Sequence, residues 1–126
     1  MSMAPSVSVL VVDDDPDIRE VTEMTLRASG FSVKTAANGK EALDMLESVC
    51  PELILLDVMM PIMDGPEFRQ CQRRSPNLVR IPTVVMTASS AEPWLDVAIA
   101  DTLRKPVGRD ALLRVVQRFC CAPEPH

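Results

Sequence analysis

Apolar residues fall along this chain in short blocks, and the spacing between and after the blocks changes from strand-like to helical. Residues 7–12 form an apolar, β-branched run that predicts a buried strand. Asp15 followed by Pro16 predicts a helix start, with proline at the first helical position. Ile18, Val21, Thr25 and Ala28 then recur at helical spacing until Gly30, which predicts a C-terminal stop. Residues 31–36 read as a second strand. Asn38 caps a helix carrying Ala42, Leu43, Leu46 and Val49 on one face. Residues 53–56 are a short, wholly apolar strand, and Asp64 caps a third helix over 66–73. Residues 83–86 form a fourth strand with Pro82 at its entry, and a short helix is expected over 92–98. Residues 101–104 are a fifth, weaker strand. Leu112, Leu113, Val115, Val116 and Phe119 mark a terminal helix.

Five strands alternating with five helices imply a single α/β domain of (βα)5 form, doubly wound, with helices on both faces of a parallel sheet. Strands apolar on both faces favour a parallel sheet over an antiparallel one, and right-handed crossovers restrict the topology. The flavodoxin-like strand order 2-1-3-4-5 is the natural candidate, although periodicity alone does not select it. The expected organisation is a flexible N-terminus over 1–6, one folded domain over 7–121 and a flexible tail over 122–126.

Bulk properties narrow the function classes. The 126 residues suit one domain, and 47% hydrophobic residues suffice for a core on both sides of a sheet. Nothing approaches the run of ~18 apolar residues that a membrane span needs. Residues 1–6 lack the basic and apolar segments of a signal peptide, so a soluble cytoplasmic protein is expected, with no membrane association. A net charge of −5 gives no broad attraction to nucleic acid, so no direct nucleic-acid binding is expected. The four cysteines, at 50, 71, 120 and 121, form no CxxC pair, and the only histidine is His126. Zinc is therefore not expected, and the thiols read as reduced and incidental.

The chemistry lies where the strands stop. The first strand ends in Asp13 and Asp14, the third in Asp57 and the fourth in Thr87, and Lys105 follows the fifth. A parallel sheet puts all its strand C-termini on one edge, where ligands bind in such folds. Three carboxylates, a hydroxyl and an ammonium would then share one shallow pocket. Clustered carboxylates repel one another, and a hard divalent cation removes the conflict. Oxygen donors without His or Cys point to Mg2+. Asp57 becomes a carboxylate nucleophile beside a metal, while Lys105 and Thr87 suit the oxygens of a phosphoryl group. Taken singly, each residue has an ordinary explanation. The acids of 13–17 could favour a helix N-terminus, Thr87 could simply end a strand, and Lys105 could be a solvated surface lysine. The conjunction is what carries weight.

Four segments in this order, VLVVDDDPDIRE (9–20), LILLDVMMPIMDG (53–65), VVMTAS (84–89) and LRKP (103–106), resemble the receiver-domain family of two-component signalling. The resemblance runs from about Val7 to Phe119. It implies that Asp57 is the phosphoacceptor, that Asp14 binds the metal directly and Asp13 through water, and that the backbone carbonyl of Met59 is a further ligand. Thr87 corresponds to the switch hydroxyl and Lys105 to the lysine that contacts the phosphoryl group, with a Lys105–Pro106 bond that is usually cis. The implied donor is a phosphohistidine on a sensor histidine kinase or a histidine phosphotransfer protein. The receiver would catalyse its own phosphorylation and later hydrolysis and so control an unknown output protein or domain.

The chain also departs from the family pattern. Thr102 stands where most relatives carry Tyr or Phe, and Val107 replaces a common Phe. The interval from Thr87 to Lys105 is shorter than usual, and the shortening falls on the fourth helix, around Trp94, the only tryptophan. The alternative reading is a phosphorylation-independent pseudo-receiver that acts as an interaction module. A small-molecule phosphohydrolase of the haloacid-dehalogenase type would require DxDxT after the first strand, which is absent.

Overall fold

The computed structural model describes residues 6–88 and 99–120. Its elements in chain order are β1 (Ser6–Val12), α1 (Pro16–Ala28), β2 (Val33–Ala36), α2 (Gly39–Met45), β3 (Cys50–Asp57), α3 (Gly65–Arg74), β4 (Thr83–Thr87), β5 (Asp101–Arg104) and α4 (Arg109–Phe119). The short helix expected over 92–98, with Trp94, lies outside the described residues, as do residues 1–5 of the end expected to be flexible over 1–6 and all of that expected over 122–126; Ser6 itself opens β1. No helix among the described residues is long and apolar enough to cross a membrane.

Local chemistry accounts for the helix starts. The Asp15 carboxylate accepts hydrogen bonds from the N–H groups of Asp17 (2.9 Å) and Ile18 (3.2 Å), and Pro16 begins α1. Asn38 accepts from the Glu41 N–H at 2.9 Å to start α2. At α3 the Asp64 side chain accepts from Glu67 N–H (3.0 Å), and the Glu67 carboxylate accepts from Asp64 N–H (3.2 Å), a reciprocal capping box. α1 is capped at its C-terminus by Ser29, and Gly30 follows with φ 94°, a conformation that only glycine adopts cheaply.

The five strands form one parallel sheet in the order β2-β1-β3-β4-β5. β3 lies at its centre with β1 beside it, and both are apolar on both faces. Val9, Val11, Leu53, Leu55, Val84 and Met86 face a core completed by α1 and α4. Leu10, Val12, Ile54 and Leu56 face the opposite core, completed by α2 and α3. Phe68 of α3 is fully buried in that second core, which contributes about 2 kcal/mol relative to exposure.

Three local expectations shift. The buried residues of α1 are Thr22 and Leu26, whereas Val21 is 63% exposed and Ala28 is exposed as well. The helix is thus rotated from the face expected through Ile18, Val21, Thr25 and Ala28, because Leu26 reaches deepest into the sheet. β2 begins at Val33, because Phe31 is spent in the turn after α1, where its N–H bonds to the Leu26 carbonyl at 3.1 Å. Val49 lies beyond α2, which ends at Met45 and closes through a bond from Val49 N–H to the Met45 carbonyl (2.9 Å).

Candidate functional site

The C-terminal ends of β1, β3, β4 and β5 meet along one edge of the sheet. Register places Asp57 beside Met86 and Thr87 beside Arg104. The Lys105 N–H extends the last ladder by bonding to the Thr87 carbonyl at 2.8 Å. The next peptide bond, Lys105–Pro106, is cis.

This edge brings Asp13, Asp14, Asp57 and Lys105 together. Carboxylate oxygens of the three acids lie within 4.8 Å of one another. The Lys105 ammonium bridges two of them, at 3.0 Å from Asp13 Oδ2 and 3.0 Å from Asp57 Oδ1. Asp13 is fully buried and Asp57 nearly so, while Asp14 faces solvent. Thr87 is buried at the end of β4. Met59 lies in the loop after β3, with its side chain exposed.

The acids are held by short-range contacts. Asp13 Oδ1 accepts from the Asp15 N–H at 3.0 Å, and Asp57 Oδ1 accepts from the Val58 N–H at 2.9 Å. Burial raises the Asp57 carboxyl from its ordinary 3.8 to about 6. The Lys105 hydrogen bond opposes that rise, and the neighbouring Asp13 charge adds to it. For Lys105, burial pulls the pKa down, but the hydrogen bonds and charges of Asp57 and Asp13 outweigh it and hold the ammonium above its ordinary value.

Close backbone packing fixes the loop that follows the nucleophile candidate. Gly65 N–H bonds to the Val58 carbonyl at 2.8 Å, and a Cβ at Gly65 would lie 2.8 Å from the Asp57 carbonyl oxygen. Gly39 N–H bonds to the Met63 carbonyl at 2.9 Å, and a Cβ at Gly39 would lie 2.7 Å from Met63 Cγ. Ile62 takes a positive φ of 68° between them.

Sequence reading missed two features. Arg19 Nη1 donates to the Asp13 carbonyl at 2.8 Å. A cation in the first turn of a helix, where it opposes the helix dipole, was the available signal. A groove of about 330 Å³ also ends at Lys105, between α1 and the β5–α4 connection, lined by Ile18, Val21, Pro106 and Val107 among others. The exposed Val21 and the unexpected rotation of α1 belong to the same feature.

Three clustered carboxylates facing one ammonium leave negative charge in excess, held on hard oxygen donors. Those donors fit a divalent cation of the Mg2+ type. A doubly wound parallel sheet whose strand ends close on such a rim places the molecule among flavodoxin-like α/β domains. The profile of the response regulator receiver domain matches residues 9–117, and the chain belongs to that family. An uncharacterized 14.6 kDa protein of Leptolyngbya boryana is 39% identical across 99% of this chain and 98% of its own length. Response regulator MprA of Mycobacterium bovis is 41% identical across 96% of this chain, which spans about half, 54%, of that longer protein. The receiver domain of sensor histidine kinase PA1611 of Pseudomonas aeruginosa, solved with a magnesium ion coordinated in its active-site cleft, is 30% identical with a TM-score of 0.82, covering 90% of this chain and 97% of its own.

Proposed function

We propose that this domain accepts a phosphoryl group on Asp57 in a Mg2+-dependent reaction. The observation that carries the reading is the buried Asp57 carboxylate at the end of β3, 3.0 Å from the Lys105 ammonium and grouped with Asp13 and Asp14. Asp14 and Asp57 would hold the ion directly, with the Met59 carbonyl, and Asp13 would act through water. When bound, Mg2+ supplies charge neutralisation at the phosphoryl oxygens and at the acid cluster.

The chain's own residues do the rest. A carboxylate oxygen of Asp57 attacks phosphorus, and the bond from phosphorus to the donor's imidazole nitrogen breaks, with the electron pair leaving on that nitrogen. Lys105, fixed across the pocket by two carboxylates, offers its positive charge to the phosphoryl oxygens. Thr87 offers its hydroxyl to the same group, and that contact biases the domain toward its signalling conformation. Attack by water on phosphorus later regenerates the Asp57 carboxylate.

The donor we propose is a phosphohistidine on a sensor histidine kinase or a histidine phosphotransfer protein, met in the cytoplasm. The groove ending at Lys105 and the exposed Ile18, Val21 and Met24 offer apolar surface beside the site for such a protein. The output is a partner or a further domain. Direct binding of nucleic acid or membrane is not proposed for a domain of this charge. The set of Asp13, Asp14, Asp57, Thr87 and Lys105 favours this reading over a phosphorylation-independent module. Thr102, exposed on β5, leaves the relay from Thr87 to the output face without the aromatic that most relatives carry.

Intact-mass spectrometry after incubation with acetyl phosphate and Mg2+ tests the proposal. Addition of one phosphoryl group, abolished by EDTA and by Asp57→Asn, is the expected result. An unchanged mass under conditions that phosphorylate a control receiver would refute it.

A further inference from the structure

Of the three acids, Asp14 has the least direct support. The Asp13 carboxylate is held by the Asp15 N–H and the Lys105 ammonium, each at 3.0 Å. The Asp57 carboxylate is held by the Val58 N–H at 2.9 Å and Lys105 at 3.0 Å. Asp14 is exposed, and among the described residues no hydrogen bond or ion pair reaches its side chain. Its direction is therefore set by the backbone that carries it.

That backbone is gripped at the preceding peptide. The Asp13 N–H bonds to the Ala36 carbonyl at 3.1 Å, which continues the β1–β2 ladder by one residue. The Asp13 carbonyl, beyond the end of the ladder, receives Arg19 Nη1 at 2.8 Å. This oxygen belongs to the peptide unit joining Asp13 to Asp14, so the guanidinium fixes the plane from which the Asp14 residue departs. The bond is charge-assisted and comes from a partly buried side chain. Arg19 sits in the first turn of α1, where the helix dipole disfavours a cation. Helix chemistry alone gives no reason for its placement, whereas the carbonyl it clamps and the acids nearby do.

We infer that Arg19 is a positioning residue, which clamps the Asp13–Asp14 peptide so that the Asp14 carboxylate stays directed at the divalent-cation site. The inference rests on the reading of the three acids as an Mg2+ site. The clamp ties α1 to the acid pair, and removing partners of this kind, one step removed from the metal, commonly weakens metal binding.

Isothermal titration of Mg2+ into the full metal-free chain tests it. We expect Arg19→Ala to bind Mg2+ at least about 10-fold more weakly than the wild type, the usual loss when such a partner is removed. Arg19→Lys, which keeps the charge and one donor, recovers part of that loss. Leu26→Val loosens the same helix in the core without touching Asp13. It lowers the thermal midpoint but leaves Mg2+ affinity within about 2-fold, since sites without shared partners act independently. Should Arg19→Ala fail to fold, Arg19→Gln, whose amide is too short to reach the carbonyl, takes its place with the same expected loss. Wild-type affinity in a folded Arg19→Ala or Arg19→Gln chain overturns the inference, as does an equal loss in Leu26→Val. A wild-type chain that binds no Mg2+ overturns the reading of the site, and the inference falls with it.

Discussion

Asp57 is the residue on which burial and charge act most visibly. Its carboxyl titrates at about 6 in the folded, metal-free chain against 3.8 ordinarily, so the folded state holds the proton more tightly than the unfolded chain does. That contribution to stability is complete below about pH 4 and is lost as pH rises through about 6. Lys105 also has a raised pKa, so its contribution is present throughout that window and is lost only above its ordinary value of 10.5. Asp57→Asn should therefore stabilise the metal-free domain at about pH 7 by roughly 1–3 kcal/mol, and the gain should vanish near pH 4. Urea denaturation of both chains at the two pH values checks this, and a gain independent of pH would contradict it. Ile62 presents a different cost. A β-branched residue at φ 68° is strained, and here a bond from Met63 N–H to the Pro61 carbonyl (2.7 Å) closes the turn around it. The side chain is 75% exposed, so little packing offsets the strain. Ile62→Asn should raise stability by about 1 kcal/mol, because Asn enters the left-handed region more easily. A thermal midpoint equal to or below the wild type would show that the turn needs its isoleucine.

At the scale of elements, β3 and α3 form the rigid frame of the site. The N-terminus of α3 presses on the end of β3, where a Cβ at Gly65 would lie 2.8 Å from the Asp57 carbonyl and 3.1 Å from Val58 Cα. Both neighbours are backbone, so neither can yield without moving the strand end. Gly65→Ala should cost about 1–3 kcal/mol and slow phosphorylation of Asp57. Denaturant melts and the rate of mass gain with acetyl phosphate measure the two effects, and a normal rate in the variant would show that Asp57 tolerates the shift. The elements themselves were largely legible in the sequence. Asp15–Pro16, Asn38 and Asp64 are local signals that act through their own helix starts, and the apolar strands are read directly. The gathering of Asp13, Asp14, Asp57 and Lys105 at the candidate site was legible for a related reason, since parallel strands turn residues that end strands into neighbours. What escaped was the rotation of α1, because Thr22 and Leu26 face inward only in relation to the sheet they meet. The buried set of Arg69, Gln72 and Thr83 escaped for the same reason. Gln72 accepts from Arg69 (2.7 Å) and Thr83 (3.1 Å) across the α3–β4 junction, a polar cluster that a periodicity argument assigns to the surface.

At the scale of the whole molecule, two sources of electrostatic strain have to be separated. The chain carries a net charge of −5, which any salt screens, while the strand-end rim concentrates three carboxylates against one lysine, which at neutral pH a bound cation would relieve. Linkage makes the distinction measurable. Mg2+ at about 100 times its dissociation constant should stabilise the folded domain by about 2.7 kcal/mol at neutral pH, provided that the unfolded chain does not bind it. For a domain of this size such a gain raises the thermal midpoint by several degrees. NaCl at the same ionic strength should give a much smaller shift, because screening acts on dispersed surface charge and far less on a cluster in which Asp13 and Asp57 are buried. Removing the ion with EDTA should return the midpoint to its starting value. Asp57→Asn takes away one proposed ligand and much of the repulsion, so its midpoint should respond to Mg2+ far less than the wild type. Equal shifts from Mg2+ and NaCl, in both chains, would mean that the acid rim is only one part of an evenly distributed negative surface and does not act as a site.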